Sequence, residues 1–201
     1  MQTETGAIVL SVHYRQAPEH RFPAANDDAV AAYRWAVSNA RSLGADPRRV
    51  AVAGESAGGN LAINVAIAAR NQRLPMPQHM TLIYPVAGTD TNTPSHSGNT
   101  ATSPSSRAGM LWFVDKARLE GLPPATIVNA ELDPLRSDGE ALARRLQQAG
   151  VSVERRNYEG VTHEFFGMAP AVADATAAQS FVGQRLRAAL GGNNRDRVAS
   201  R

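Results

Sequence analysis

The stretch Gly54–Glu55–Ser56–Ala57–Gly58–Gly59 joins a short apolar run, Val50–Ala53, to a long Ala- and Ile-rich stretch at helical spacing, Ala57–Arg70. A strand that passes through glycines straight into a helix must pack that helix back onto a sheet, which favours parallel β–α units. The same order recurs along the chain. Ala7–Tyr14 is β-branched and apolar and is bounded by Gly6 and Gln16–Pro18, so it reads as a buried strand. Pro23 can open a helix at its first turn, continued by Ala24–Ala40 and broken at Gly44–Pro47. Met80–Tyr84, Ile127–Ala130 and Val151–Tyr158 read as further strands, and Leu135–Ala149 and Ala171–Leu190 as helices. Leu135, Leu142, Leu146 and Ala149 line one face of the first of these, with Gly150 at its C′ position. Gly88–Ser106 has the composition of a loop, Ala108–Lys116 reads as a short helix, and the tail from Gly191 reads as disordered. The predicted fold class is α/β, a mostly parallel sheet with helices on it.

At 201 residues the chain has room for one ordinary domain. It has no cysteine, which removes disulfides, thiolate metal sites and a cysteine nucleophile. Glu4 precedes the first apolar stretch, a basic leader is missing and Ala7–Val12 is too short for a signal core, so no signal peptide is expected. No run is long enough to span a bilayer, and a cytoplasmic protein without a membrane partner is the expectation. The formal charge is +3, and the arginines fall on predicted helices or in the Asn193–Arg201 tail without interleaved aromatics. That pattern fits a solvated surface and gives nucleic acid no stacking platform.

Gly54–Gly58 fits G-x-S-x-G in a strand–turn–helix setting, the context of a nucleophile elbow. A sharp turn there would lift the Ser56 hydroxyl above the sheet, and the helix N-terminus beneath would favour developing negative charge. The Ala57 backbone N–H is the expected oxyanion donor. The competing reading is a glycine-rich turn whose serine caps the helix.

A serine hydroxyl needs a base. The histidines are His13, His20, His79, His96 and His163. In this setting the partners follow in the order serine, acid, histidine, and His163, in Gly160–Phe166, is the one histidine after the last clear strand. The acid that orients it is expected at Asp133, just past strand Ile127–Ala130, where sites gather in open α/β sheets. Asp133 could equally cap helix Leu135–Ala149 with Pro134 at N1, and both roles are compatible. Glu131 and Asp138 compete but sit nearer the strand and inside the helix. No H-E-x-x-H, ligand-spaced cluster or Walker lysine appears, so neither a metal nor another cofactor is expected.

Four blocks in order resemble the hormone-sensitive-lipase-like branch of the α/β-hydrolases, the group of bacterial esterases and acetyl-hydrolases. Tyr14–Ala25 is similar to its Y-R-x-A-P-E-x-x-F-P-A-A block and Gly54–Asn60 to its G-[DE]-S-A-G-G-N elbow. Leu122–Ala125 through Asp133–Leu135 is similar to its G-L-P-P-A…D-P-L segment, and His163–Phe165 to its H-x-F base loop. The resemblance implies an α/β-hydrolase fold with Ser56, Asp133 and His163 as a catalytic triad. The implied reaction is cleavage of short- to medium-chain carboxylic esters, a small-molecule substrate class, through an acyl-enzyme without a cofactor. Residues 1–190 would form one partial domain and 191–201 a disordered tail. Tyr14, Arg15, Glu19 and Asp28 would form a structural polar network. Phe165 and Phe166 would line an acyl pocket or pack beside the base loop, at least one of them packing.

The family carries an H-G-G-G oxyanion loop ahead of the Y-R-x-A-P-E block, and this sequence has none. The chain begins at what resembles the fourth strand, so early strands and a cap are expected to be missing, as in a truncated copy. The resemblance therefore implies a gap or an altered pairing between Ala7–Tyr14 and Val50–Ala53, and the stretch between Val114 and Leu119 looks shortened. Loss of one oxyanion donor typically costs about 10²–10³ in rate, and an open sheet edge invites pairing with a second copy, a homo-oligomer. Two further readings stand beside the esterase: an impaired fragment that acts as a binding or assembly partner, and a serine peptidase of the same fold. The length leaves no room for the accessory domain of the latter.

Overall fold

The computed structural model describes residues 5–88, 95 and 117–191. Its sheet holds four strands, β1 (Val52–Glu55), β2 (Met80–Ile83), β3 (Ala125–Leu132) and β4 (Val153–Thr162). They lie side by side in chain order, and every neighbouring pair is parallel. The α-helices are α1 (Ala24–Asn39), ahead of β1, α2 (Ala57–Asn71) and α3 (Arg136–Gln148), between strands, and α4 (Ala173–Ala189), after β4.

Alternation along the central strands distributes the core. Met80 and Leu82 of β2 and Ala125 and Ile127 of β3 pack against Ile63 and Ile67 of α2 and Leu142 and Leu146 of α3. Ile83, Val128 and Ala130 face the other way, against Phe165 and against Ala178, Phe181 and Val182 of α4. Helices thus cover both faces, as expected of buried parallel strands with continuous apolar runs. α1 lies outside α2, joined through Tyr33, Val65 and Ala69. The apolar stripe read for α3 is the buried one, and Gly150 follows the helix at φ +77°, where glycine carries no Cβ penalty.

The expected strand Ala7–Tyr14 is a correction. The segment belongs to no sheet, and Ile8 and Val9 are each more than half exposed. A strand needs a neighbour to take its N–H and C=O groups. Among the described residues β1 is paired on one side only, by β2. The segment ends where Arg15 clasps Asp28 of α1, with contacts of 2.7–3.1 Å that hold the Asp28 carboxyl down at about 2. Tyr14 and Glu19, expected in the same network, make no hydrogen bond or ion pair with these two. The helix read at Ala108–Lys116, the tail beyond Gly191 and nearly all of the Gly88–Ser106 loop lie outside the described residues.

Candidate active site

β1 ends at Glu55 and α2 starts at Ala57, leaving Ser56 alone to make the turn. Its backbone sits at φ +53°, ψ −118°, a conformation that non-glycine residues hold only when their surroundings impose it. The surroundings here are hydrogen bonds. Ser56 N–H donates to Ile83 O at 2.9 Å, and Ser56 O accepts from Val86 N–H at 3.1 Å, so the chain leaving β2 grips the elbow on both sides. The glycines divide in role. A Cβ on Gly54 would lie 2.1 Å from Gly58 O, and one on Gly59 would lie 2.9 Å from Pro85 Cβ. Both permit close approach of helix and strand, whereas Gly58 faces open space.

The Ser56 side chain does not cap α2. Its Oγ lies 3.0 Å from His163 Nε2, and His163 Nδ1 lies 2.7 Å from Asp133 Oδ2. Asp133 is fully buried; its second oxygen, Oδ1, accepts the Leu135 N–H at 2.8 Å. One carboxylate thus touches both the histidine and the turn into α3, but it is not the expected helix cap: the N-cap position is Leu135, and no side chain caps it. Helix α3 begins at Arg136, two residues later than Pro134 at N1 would have it.

His163 is carried past the end of β4 by two left-handed backbone positions, Gly160 and Glu164, both at φ +68°. Between Tyr158 and Thr162 the strand bulges away from β3, and the Gly160 N–H donates to Glu131 Oε2 at 2.8 Å. Phe165 and Phe166 then sink into the α4-side core, 1% and 7% exposed, so both anchor the loop by packing. An open cleft of about 450 Å³ meets Ser56 and is lined by Glu55, Tyr84, Glu164, Gly167 and Met168. Ala57 is the first residue of α2, and among the described residues its N–H has no acceptor. Among the described residues no cluster of histidine and carboxylate side chains could hold a metal.

Residues 1–167 match a protein family described as the α/β-hydrolase fold. The chain belongs to the α/β-hydrolase fold family. Within it, the chain is 42% identical over 194 residues to carboxylesterase NlhH of Mycobacterium tuberculosis, covering 85% of this chain and 61% of that protein. It is 36% identical over 203 residues to an ethyl acetate hydrolase of Pseudomonas putida, covering 92% and 64%. It thus spans somewhat over three fifths of these relatives' length. A solved esterase of Pyrobaculum calidifontis superposes with a TM-score of 0.83 at 35% identity, covering 93% of this chain and 67% of that one. Among the described residues no helix is long and apolar enough to cross a membrane.

Several side chains that serve this site escaped sequence reasoning. Asp138 is 2% exposed and accepts the Ala87 and Gly88 N–H groups, holding the chain that leaves β2. Its signal was present: it falls on the apolar stripe of α3, between Leu135 and Leu142, where a carboxylate needs buried partners. Ser95 is 2% exposed. Its hydroxyl donates to Pro134 O at 2.6 Å and accepts the Ser137 N–H at 3.2 Å, bracing the turn after Asp133. It stood in a polar run with nothing to distinguish it. Tyr84 and Glu55 are joined at 2.6 Å, Tyr84 O–H donating to Glu55 Oε2, beside the histidine.

Proposed function

We propose that this chain is a serine hydrolase of short- to medium-chain carboxylic esters, working through an acyl-enzyme. One observation carries the reading. Residues 56, 133 and 163, distant in sequence, form a continuous hydrogen-bonded relay at the edge of an open cleft, with spacings of 3.0 Å and 2.7 Å. With Nδ1–H directed at the Asp133 carboxylate, Nε2 is left free to accept a proton. It takes that proton from Ser56 Oγ as the oxygen attacks the ester carbonyl. The carbonyl π bond breaks, and the resulting oxyanion is held by the Ala57 N–H at the positive end of α2. Collapse of the adduct expels the alcohol, which receives the proton from Nε2. Water then repeats the sequence on the acyl-enzyme, giving acid and free serine. Asp133 orients the imidazole and stabilises the imidazolium throughout.

The names of the relatives support esters over amides, and the small open cleft suits a small substrate. Turnover of p-nitrophenyl acetate and butyrate tests the proposal. The expected result is hydrolysis that S56A reduces by at least about 10³-fold. A rate that S56A leaves unchanged would overturn it.

A further inference from the structure

The relay holds the imidazole of His163 in its own plane only. An imidazole donates and accepts hydrogen bonds along directions in its ring plane, so the bonds to Asp133 and Ser56 do little to resist rocking of the ring about the line joining them. Yet the rate of proton transfer depends on alignment: a displacement of about 1 Å can cost on the order of 10²-fold. Something must support the face of the ring.

The geometry points to Tyr84, anchored by Glu55, as a positioning residue for His163, which forms a second mechanical path between nucleophile and base. The inference rests on the triad reading above. Tyr84 is fully buried, and its ring centroid lies 4.5 Å from that of His163 with the planes tilted by 52°. Behind it stands Phe165, at 6.2 Å. The far end of the Tyr84 ring is tied down by its O–H, which donates to Glu55 Oε2 at 2.6 Å. Glu55 directly precedes Ser56, so the strand end that sets the serine also sets the shelf under the histidine. The Tyr84 backbone is held as firmly: it sits at φ +33°, with its N–H donating to Val128 O at 2.7 Å. Burial, and then the bond to Glu55, push the phenol's ionisation well above its usual range, which keeps it a donor at neutral pH. A phenol bonded to a carboxylate has a more electron-rich face, which also suits a neighbouring imidazolium.

Glu55 is exposed, so substituting it leaves the core intact. In steady-state hydrolysis of p-nitrophenyl butyrate, E55A and Y84F are each expected to lower kcat about tenfold, the scale of one lost hydrogen bond to a charged group. KM should stay within about twofold. Because both variants break one contact, the double variant should be no slower than either single one, and E55Q, which keeps an acceptor, should recover most of the loss. The imidazole proton resonances of His163, shifted by the Tyr84 ring current, should move in both single variants, a readout that needs no turnover. Unchanged kcat and unchanged resonances in E55A and Y84F would overturn the inference, as would strictly additive losses. A wild-type chain inactive toward esters, but with His163 resonances that respond to E55A, would instead sink the triad reading and leave the shelf standing.

Discussion

Ser56 spends backbone strain, of order 1–3 kcal/mol for a residue held outside its ordinary conformations, to expose its hydroxyl instead of capping α2. That choice is what the proposed nucleophile needs and a helix cap does not. The residue scale carries a second prediction at Asp133, whose two oxygens do two jobs. In D133N the amide oxygen can still take the Leu135 N–H, but the NH₂ then faces Nδ1 and forces the wrong histidine tautomer. Turnover should fall about 10³–10⁴-fold while unfolding in urea shifts by no more than roughly 1–2 kcal/mol. A variant as active as the wild type would show that Asp133 only braces α3. That Ser56, Asp133 and His163 would meet was legible from chain order, because the proposed arrangement, with a nucleophile between strand and helix, fixes where the acid and base must follow. Tyr84 and Glu55 were not legible. Their meeting depends on a positive φ and on the register of Glu55 beside Ile83, neither of which leaves a trace in composition.

At the scale of elements, the β-then-α order was readable because buried parallel strands and Ala-rich helices differ in length and in branching. Boundaries moved most where a long-range contact decided them. β4 runs on to Thr162 because Glu131 and the left-handed Gly160 carry the bulge, and periodicity cannot see a bulge. Ala7–Tyr14 failed for a related reason: its residues suit a strand, but strand formation is a property of pairs. The elbow itself yields a contrast. In G54A the new methyl would meet backbone at 2.1 Å, so destabilisation of about 3 kcal/mol or more is expected in thermal or urea unfolding. In G58A the methyl meets nothing, and an alanine in the first turn of α2 should change stability by less than about 1 kcal/mol, on the stabilising side. Equal damage from both would mean that the close approach of α2 to β1 is misplaced.

The whole molecule separates its two sheet ends by function. The C-terminal edge holds the proposed reactive groups; the other end holds His79, 4% exposed, with Nε2 2.8 Å from Thr126 Oγ1. Burial, with Arg185 adding to it, pushes this imidazole down to about 4 from 6.5. The folded protein therefore keeps His79 neutral while the unfolded chain takes up a proton first. Its contribution to stability is complete above pH 6.5 and drains away as pH falls toward 4, by roughly 2–3 kcal/mol. H79Q should lose less stability than the wild type between pH 7 and pH 4, measured by urea unfolding; parallel pH profiles would remove His79 as the cause. The proposed function requires an activated hydroxyl at residue 56. A fluorophosphonate probe reacts with such a hydroxyl and leaves ordinary serines alone, and mass spectrometry locates the adduct. One adduct on Ser56, absent from H163A, is the predicted result; a folded protein that takes up no probe at Ser56 would contradict the account.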